Sequence, residues 1–289
     1  MNVALFLSFK SFPGLRINSF RAITFNYLVC VVTGILFSEV NLFQNLKIST
    51  ASWIWIPIFM AAMFITTFYL LARTTQIYSV AIATVASKMS MVIPVIFSIY
   101  IFSFDIREFS ILNYLGVIIA LIAIILISIK NLHALFSMHF RDISIFFPVM
   151  VFLSGGLIDT MLNFVNRQHI TENSRGFFVL FLFLIAFLIG LTILLLRKNL
   201  PTRRDIFGGI YLGIPNFFSV YFLLFALDDF NNNGAVIFPV LNIGTITLSS
   251  ILAVLVFKEK FTINNLLGVG LAILSILLIS YQDIYIYIK

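Results

Sequence analysis

Two ionisable side chains lie well inside apolar stretches: Lys88 in VASKMSMVIPV (85–95) and Asp159 in SGGLIDTMLNFVN (154–166). A charge at mid-bilayer costs about 2.5–3.5 kcal/mol on insertion scales, so each needs a cavity, a partner or a ligand. A buried lysine can meet an anionic group. A buried carboxylate can hold a proton or pair with a cation, because burial raises its pKa and a nearby cation lowers it. Thr84, Lys88 and Met91 share one helical face, with Pro94 loosening the helix just beyond. Gly155, Asp159, Asn163 and Asn166 fall within an arc of roughly 80°. The plainer readings are that Lys88 caps carbonyls freed by Pro94 or closes an ion pair with Asp159, and that Asp159 clamps two helices. Further polar residues sit in apolar runs. Asn242, Thr245 and Ser249 follow Pro239, Asn216 and Ser219 follow Pro215, and Asn26, Tyr27, Thr66 and Tyr69 lie nearer the start. Any one of these could simply glue helices; together they outline a hydrated cavity. The expected substrate-binding set is Lys88, Asp159, Asn163, Asn216, Asn242, Thr245, Thr84, Asn26 and Tyr69. No Walker loop, HExxH, GxSxG or CxxC motif occurs, and His133, His139 and His169 have no ligand spacing. With one cysteine, Cys30, there is no intrachain disulfide or cysteine metal site.

The elements that must position these residues are membrane helices. The chain is 61% hydrophobic and 10% charged, with mean hydropathy +1.11, against about 25% charged in soluble domains. Its net charge of +7 is scattered among short loops and reads as an orientation signal, not a nucleic-acid patch. A spanning helix needs roughly 20 apolar residues. Such runs occupy 17–37, 53–72, 79–103, 111–129, 144–165, 176–196, 206–227, 234–257 and 263–282, with Trp53 and Trp55 as interface anchors. They lack the alternation of a membrane barrel.

Residues 109–128 (FSILNYLGVIIALIAIILIS) return as 261–280 (FTINNLLGVGLAILSILLIS), with 11 of 20 positions identical. The offset of 152 is about half the chain. Met1 aligns with the middle of 144–165, so residues 1–9 are expected to be a truncated first helix. The fold class expected is all-α: a polytopic membrane protein of ten helices in two five-helix repeats, 1–130 and 142–289. An odd number per repeat makes the second copy run opposite to the first. Lys and Arg divide 12 to 5 between alternate loops, placing 197–205 (RKNLPTRRD) in the cytoplasm and both termini outside.

These features resemble the EamA type of the drug/metabolite transporter superfamily. VASKMSMVIPV (85–95), FSILNYLGV (109–117), FPVLNIGTITLSSILAVLVFKEKFT (238–262) and NNLLGVGLAILSILLIS (264–280) carry the resemblance. Glu259 matches the acidic loop residue common in that family; the corresponding position in the first half is Arg107, between Asp105 and Glu108. The resemblance implies a multi-pass carrier of small polar metabolites, amino-acid-like or related, with no cofactor, in the bacterial cytoplasmic membrane. It implies both termini inside, against the charge count. The partners expected are a small-molecule substrate and membrane lipid, not nucleic acid; proton or ion coupling and homo-oligomerisation stay open. Substrate is expected near the midplane between the halves. The competing readings are a channel-like ion-coupled pathway, an integral-membrane enzyme or flippase acting on a lipid-linked substrate, and an assembly subunit.

Overall fold

The computed structural model describes residues 2–37, 55–100, 110–128, 146–168, 172–229 and 234–288. Trp53, Arg107 and the three histidines lie outside the described residues, as do the side chains of Asn163 and Asn166. Every described element is a helix: α1 (Asn2–Ser11), α2 (Ser19–Phe37), α3 (Trp55–Ile77), α4 (Val80–Met89), α5 (Val92–Tyr100), α6 (Ile111–Ser128), α7 (Phe146–Gln168), α8 (Glu172–Leu196), α9 (Arg203–Asp229), α10 (Gly234–Phe257) and α11 (Ile263–Ile288). Helices α4 and α5 are two pieces of one apolar run, so the described segments amount to the ten helices expected. By length and composition, α2, α3, residues 177–196 of α8 and residues 263–282 of α11 can each cross a bilayer. The protein is a multi-pass, all-helical membrane protein.

Local chemistry sets the helix ends. Pro94 has no N–H for the carbonyl of Ser90, and its ring would collide with that carbonyl. Accordingly α4 stops at Met89 and α5 starts at Val92, while the Ile93 N–H takes the Ser90 carbonyl at 3.0 Å. Arg16, Lys198 and Lys258 have φ of 55°, 49° and 52°. Around Lys198, the N–H of Asn199 bonds Leu194 C=O at 2.9 Å and that of Lys198 bonds Leu195 C=O at 3.0 Å. This is a Schellman turn with lysine where glycine is usual, and the cation suits the negative end of the helix dipole.

The chain divides into two compact units, each drawing on both halves of the sequence: Met1–Tyr69 with Ile158–Tyr221, and Leu70–Leu157 with Phe222–Lys289. The first unit holds a buried aromatic cluster. Tyr27 stacks on Phe183 with centroids 5.9 Å apart, and Phe68 meets both Tyr27 and Phe9. The glycines of G209-IYL-G213 on α9 face α2. A Cβ at Gly209 would lie 3.1 Å from the Ala22 carbonyl oxygen, and one at Gly213 would lie 2.9 Å from that of Asn26. Partners ascend together along the two helices, so α2 and α9 run parallel, backbone against backbone.

The second unit is built on the repeated segment. Its apolar core includes Val85, Met89, Ala120, Ala123, Ile246, Ala272 and Ile276. Helices α6 and α11 pack closely. The Asn113 amide donates to Leu278 C=O (3.2 Å) and Ile279 C=O (2.8 Å), and Tyr281 Oη–H donates to Ser110 Oγ (2.8 Å). A Cβ at Gly116 would lie 3.0 Å from the Ile279 nitrogen. The start of α6 therefore meets the late part of α11, and the two copies run antiparallel. Their caps match across the 152-residue offset. Ser110 N–H and O–H both bond Asn113 Oδ1 at 2.9 Å; Thr262 N–H and O–H bond Asn265 Oδ1 at 3.0 and 2.8 Å.

Candidate functional site

In the first unit, two of the expected site residues meet inside the protein. Asn26 and Asn216 are buried, and Asn216 Nδ2 donates to Asn26 Oδ1 at 3.1 Å. The Cys30 thiol joins them, 3.5 Å from Asn216 Nδ2 and 3.5 Å from the Gly213 carbonyl oxygen. The glycine pair on α9 ends at this node: small residues bring α9 onto α2, and the asparagines sit one turn further on. Pro215 lies in the same stretch, inside α9. Asn26 Nδ2 and Tyr27 Oη are buried without a hydrogen-bond partner. A buried polar group left unpaired costs about 1–3 kcal/mol. The node thus presents donor capacity that its own protein contacts do not use.

One end of this unit is closed by a polar hub. Asn18 caps α2, accepting from the N–H groups of Phe20 and Arg21 at 3.1 and 3.2 Å. Thr202 caps α9 in a box with Asp205, whose carboxylate accepts from Thr202 N–H (2.8 Å) and Thr202 O–H (2.8 Å). Asp205 also accepts from the Asn18 N–H at 2.7 Å and pairs with Arg21 Nη1 at 3.0 Å. Arg21 bonds Asn199 as well. Burial pushes the Asp205 carboxyl pKa up, but the donors from Thr202, Asn18 and Arg21 outweigh it, and the net value lies below the usual carboxylate range.

In the second unit, Lys88 is half-buried in the last turn of α4, two residues before the helix break. Thr84, one turn back, is buried and donates to Val80 C=O at 2.8 Å. Asn242 is buried and gives its amide to Met91 Sδ at 3.1 Å, a weak acceptor beside the same break. Thr245 and Ser249 return their hydroxyl protons to α10 itself, at Leu241 C=O (2.6 Å) and Ile246 C=O (3.0 Å). The start of α4 is held by Ser79 Oγ, which accepts from Ile82 N–H at 3.0 Å, and by Glu259 Oε1, which accepts from Val80 N–H at 3.2 Å. Asp159 belongs to the first unit and is exposed, as is Tyr69, whose ring meets Phe20 edge-on at 6.1 Å.

The structure thus brings Asn26 and Asn216 together in the first unit, and Asn242 to the break beside Lys88 in the second. Three contributors were not among the expected site residues: Tyr27, Cys30 and the Gly209/Gly213 pair. Cys30 carries its signal in spacing, one turn after Asn26. The Gly209/Gly213 pair is a small-xxx-small pattern in an apolar run, a recognised mark of close helix approach. Among the described residues, no cluster of His, Cys, Asp and Glu could hold a metal ion.

Comparison with known proteins agrees with this architecture. An uncharacterized protein of Haemophilus influenzae is 27% identical over 273 residues, covering 91% of this chain and 89% of that relative. Residues 146–281 match the EamA-like transporter family. That segment, most of the second sequence repeat, belongs to this family of membrane transporters of the drug/metabolite kind.

Proposed function

We propose that this chain is a secondary transporter that moves a small polar metabolite, amino-acid-like in its hydrogen-bonding groups, across a bacterial cytoplasmic membrane by alternating access. The observation that carries this reading is the Asn26–Asn216–Cys30 node, with Asn26 Nδ2 and Tyr27 Oη buried and unused. Interior donors of this kind suit a solute with carbonyl or carboxylate oxygens. Lys88 at the α4–α5 break serves an anionic group, in keeping with transporters that place discontinuous helices at the binding site. Asp159 serves a cationic group or carries the coupling proton. Asn163 and Tyr69 in the first unit, and Asn242, Thr84 and Thr245 in the second, are the further polar side chains that this reading assigns to the solute. The five-helix repeats 1–130 and 142–289 supply the two-fold relation that alternating access uses; the antiparallel α6 and α11 support it.

The test uses purified protein in liposomes and a panel of amino acids and related zwitterions. At least one solute is expected to accumulate faster than in empty vesicles and to raise the unfolding temperature of the wild type. Lys88→Met is expected to abolish both effects while its own unfolding stays cooperative. A panel that moves neither uptake nor unfolding would sink the reading, and wild-type uptake by Lys88→Met would remove Lys88 from the mechanism.

A further inference from the structure

Beside the polar hub, a cleft of about 490 Å³ opens at the surface of the first unit, lined by Gly14, Leu15, Arg16, Ile17, Arg204 and Phe207. Its two cations are placed by backbone geometry. Arg16 sits in the left-handed region (φ 55°), in a turn where Ile17 N–H bonds Phe12 C=O at 3.0 Å and Arg16 N–H bonds Pro13 C=O at 3.1 Å. Arg204 stands in the first turn of α9. Both are exposed, and neither has an ion-pair partner among the described residues. The neighbouring carboxylate, Asp205, is already committed to Arg21, Asn18 and Thr202. No acid therefore competes for this cleft from the hub. The other walls are apolar and open: Leu15 is 56% exposed and Phe207 70% exposed. Below Phe207, the exposed side chains of Tyr211 and Ile214 continue the apolar strip along α9.

We propose that this cleft binds an anionic phospholipid, with Arg16 and Arg204 gripping the headgroup phosphate and Phe207, Tyr211 and Ile214 lying along an acyl chain. Two guanidinium forks match a phosphate bidentately. Basic pockets at helix ends are a known means of holding anionic headgroups. The apolar strip is what favours a lipid over free phosphate: a bare ion would leave Phe207 and Leu15 without a function in the site. This inference is independent of which solute is carried.

The test titrates delipidated wild-type protein, in a neutral detergent, with phosphatidylglycerol, phosphatidylcholine and inorganic phosphate. Unfolding temperature and retained lipid adducts in native mass spectrometry are the readouts. Phosphatidylglycerol is expected to stabilise the protein and to persist as an adduct; the other two are not. Arg16→Gln with Arg204→Gln is expected to weaken phosphatidylglycerol binding about 25-fold, about fivefold per arginine near the surface. Arg197→Gln with Lys198→Gln, which removes as much charge outside the cleft, is expected to keep most of the affinity. Should the neutral variant fail to fold, Arg16→Lys with Arg204→Lys takes its place; it keeps the charge, loses the forks and is expected to bind more weakly than wild type. Equal stabilisation by inorganic phosphate would make this a phosphate site and overturn the lipid assignment. Equal loss in both neutralised pairs, or wild-type affinity in the lysine pair, would also overturn it.

Discussion

Helix pairs α2/α9 and α6/α11 are assembled from the same parts, a glycine that lets backbones touch and an asparagine nearby, and end in different chemical states. On α6, Asn113 spends its amide on two carbonyls of α11 and its oxygen on the Ser110 cap. On α2, Asn26 accepts from Asn216 but keeps its own amide protons unused, beside an unused Tyr27 hydroxyl. The first asparagine is saturated and the second is not. A saturated amide serves as scaffold; spare donors can be given to a passenger. The sequence relation follows the same line. The saturated asparagine lies between the two repeated segments, 109–128 and 261–280, which share 11 of 20 residues. Two copies packing on each other face the same demands, whereas a solute is asymmetric and asks different things of the helices around it.

Stability measurements can break this contrast. The largest loss is expected for Asp205→Ala, about 3 kcal/mol, because Arg21 is left without its carboxylate and the caps of α2 and α9 lose their shared acceptor. Thermal unfolding in detergent reads it directly. The pH dependence has a definite sign. Since the Asp205 pKa is lower in the folded protein, its contribution is present above the ordinary carboxylate pKa of about 4 and is lost as pH falls through the lower folded value. Asp205→Asn should flatten that acid limb; an unchanged limb would remove Asp205 as its source.

Next in size is Asn113→Leu, expected to cost about 2 kcal/mol, since it deletes a cap and two hydrogen bonds to α11 carbonyls. Its counterpart in the repeat, Asn265→Leu, is expected to cost only about 1 kcal/mol, the value of a cap. The smallest stability effect is expected for Asn26→Leu combined with Asn216→Leu, about 0.6 kcal/mol, because both partners of the bond leave together. That double variant should nevertheless lose solute-induced stabilisation. If it proves costlier than Asn113→Leu, then α2/α9 is the scaffold and the assignment of roles must be exchanged.

Much of this was readable before any coordinates. Apolar run length placed the helices, and Pro94 foretold a weak point after Lys88 because a missing N–H acts locally. Asn26 and Asn216 stood out because polar groups in apolar runs are costly. What could not be read is how they pair. Residues 190 positions apart meet only after α9 lies on α2, and that depends on Gly209 and Gly213, whose effect is the absence of a side chain. The repeat likewise suggested two consecutive halves, whereas compactness groups helices from both, since contact depends on which faces remain to be buried and not on chain order. The edge-on contact between the Tyr69 and Phe20 rings likewise had no signal in the sequence.

The glycine spacing has a mechanical consequence. Gly209 and Gly213 are one turn apart on α9, and Ala22 and Asn26 are one turn apart on α2. Sliding α9 forward by one turn, about 5.4 Å, would carry Gly209 to the level Gly213 now occupies, but it would bring Asp205 to the place Gly209 leaves, where even a Cβ lies 3.1 Å from the Ala22 carbonyl oxygen. The contact therefore has one register, as a key has one seat. Polar bonds hold that register at either end, Asp205 to Asn18 and Arg21 on one side and Asn216 to Asn26 on the other.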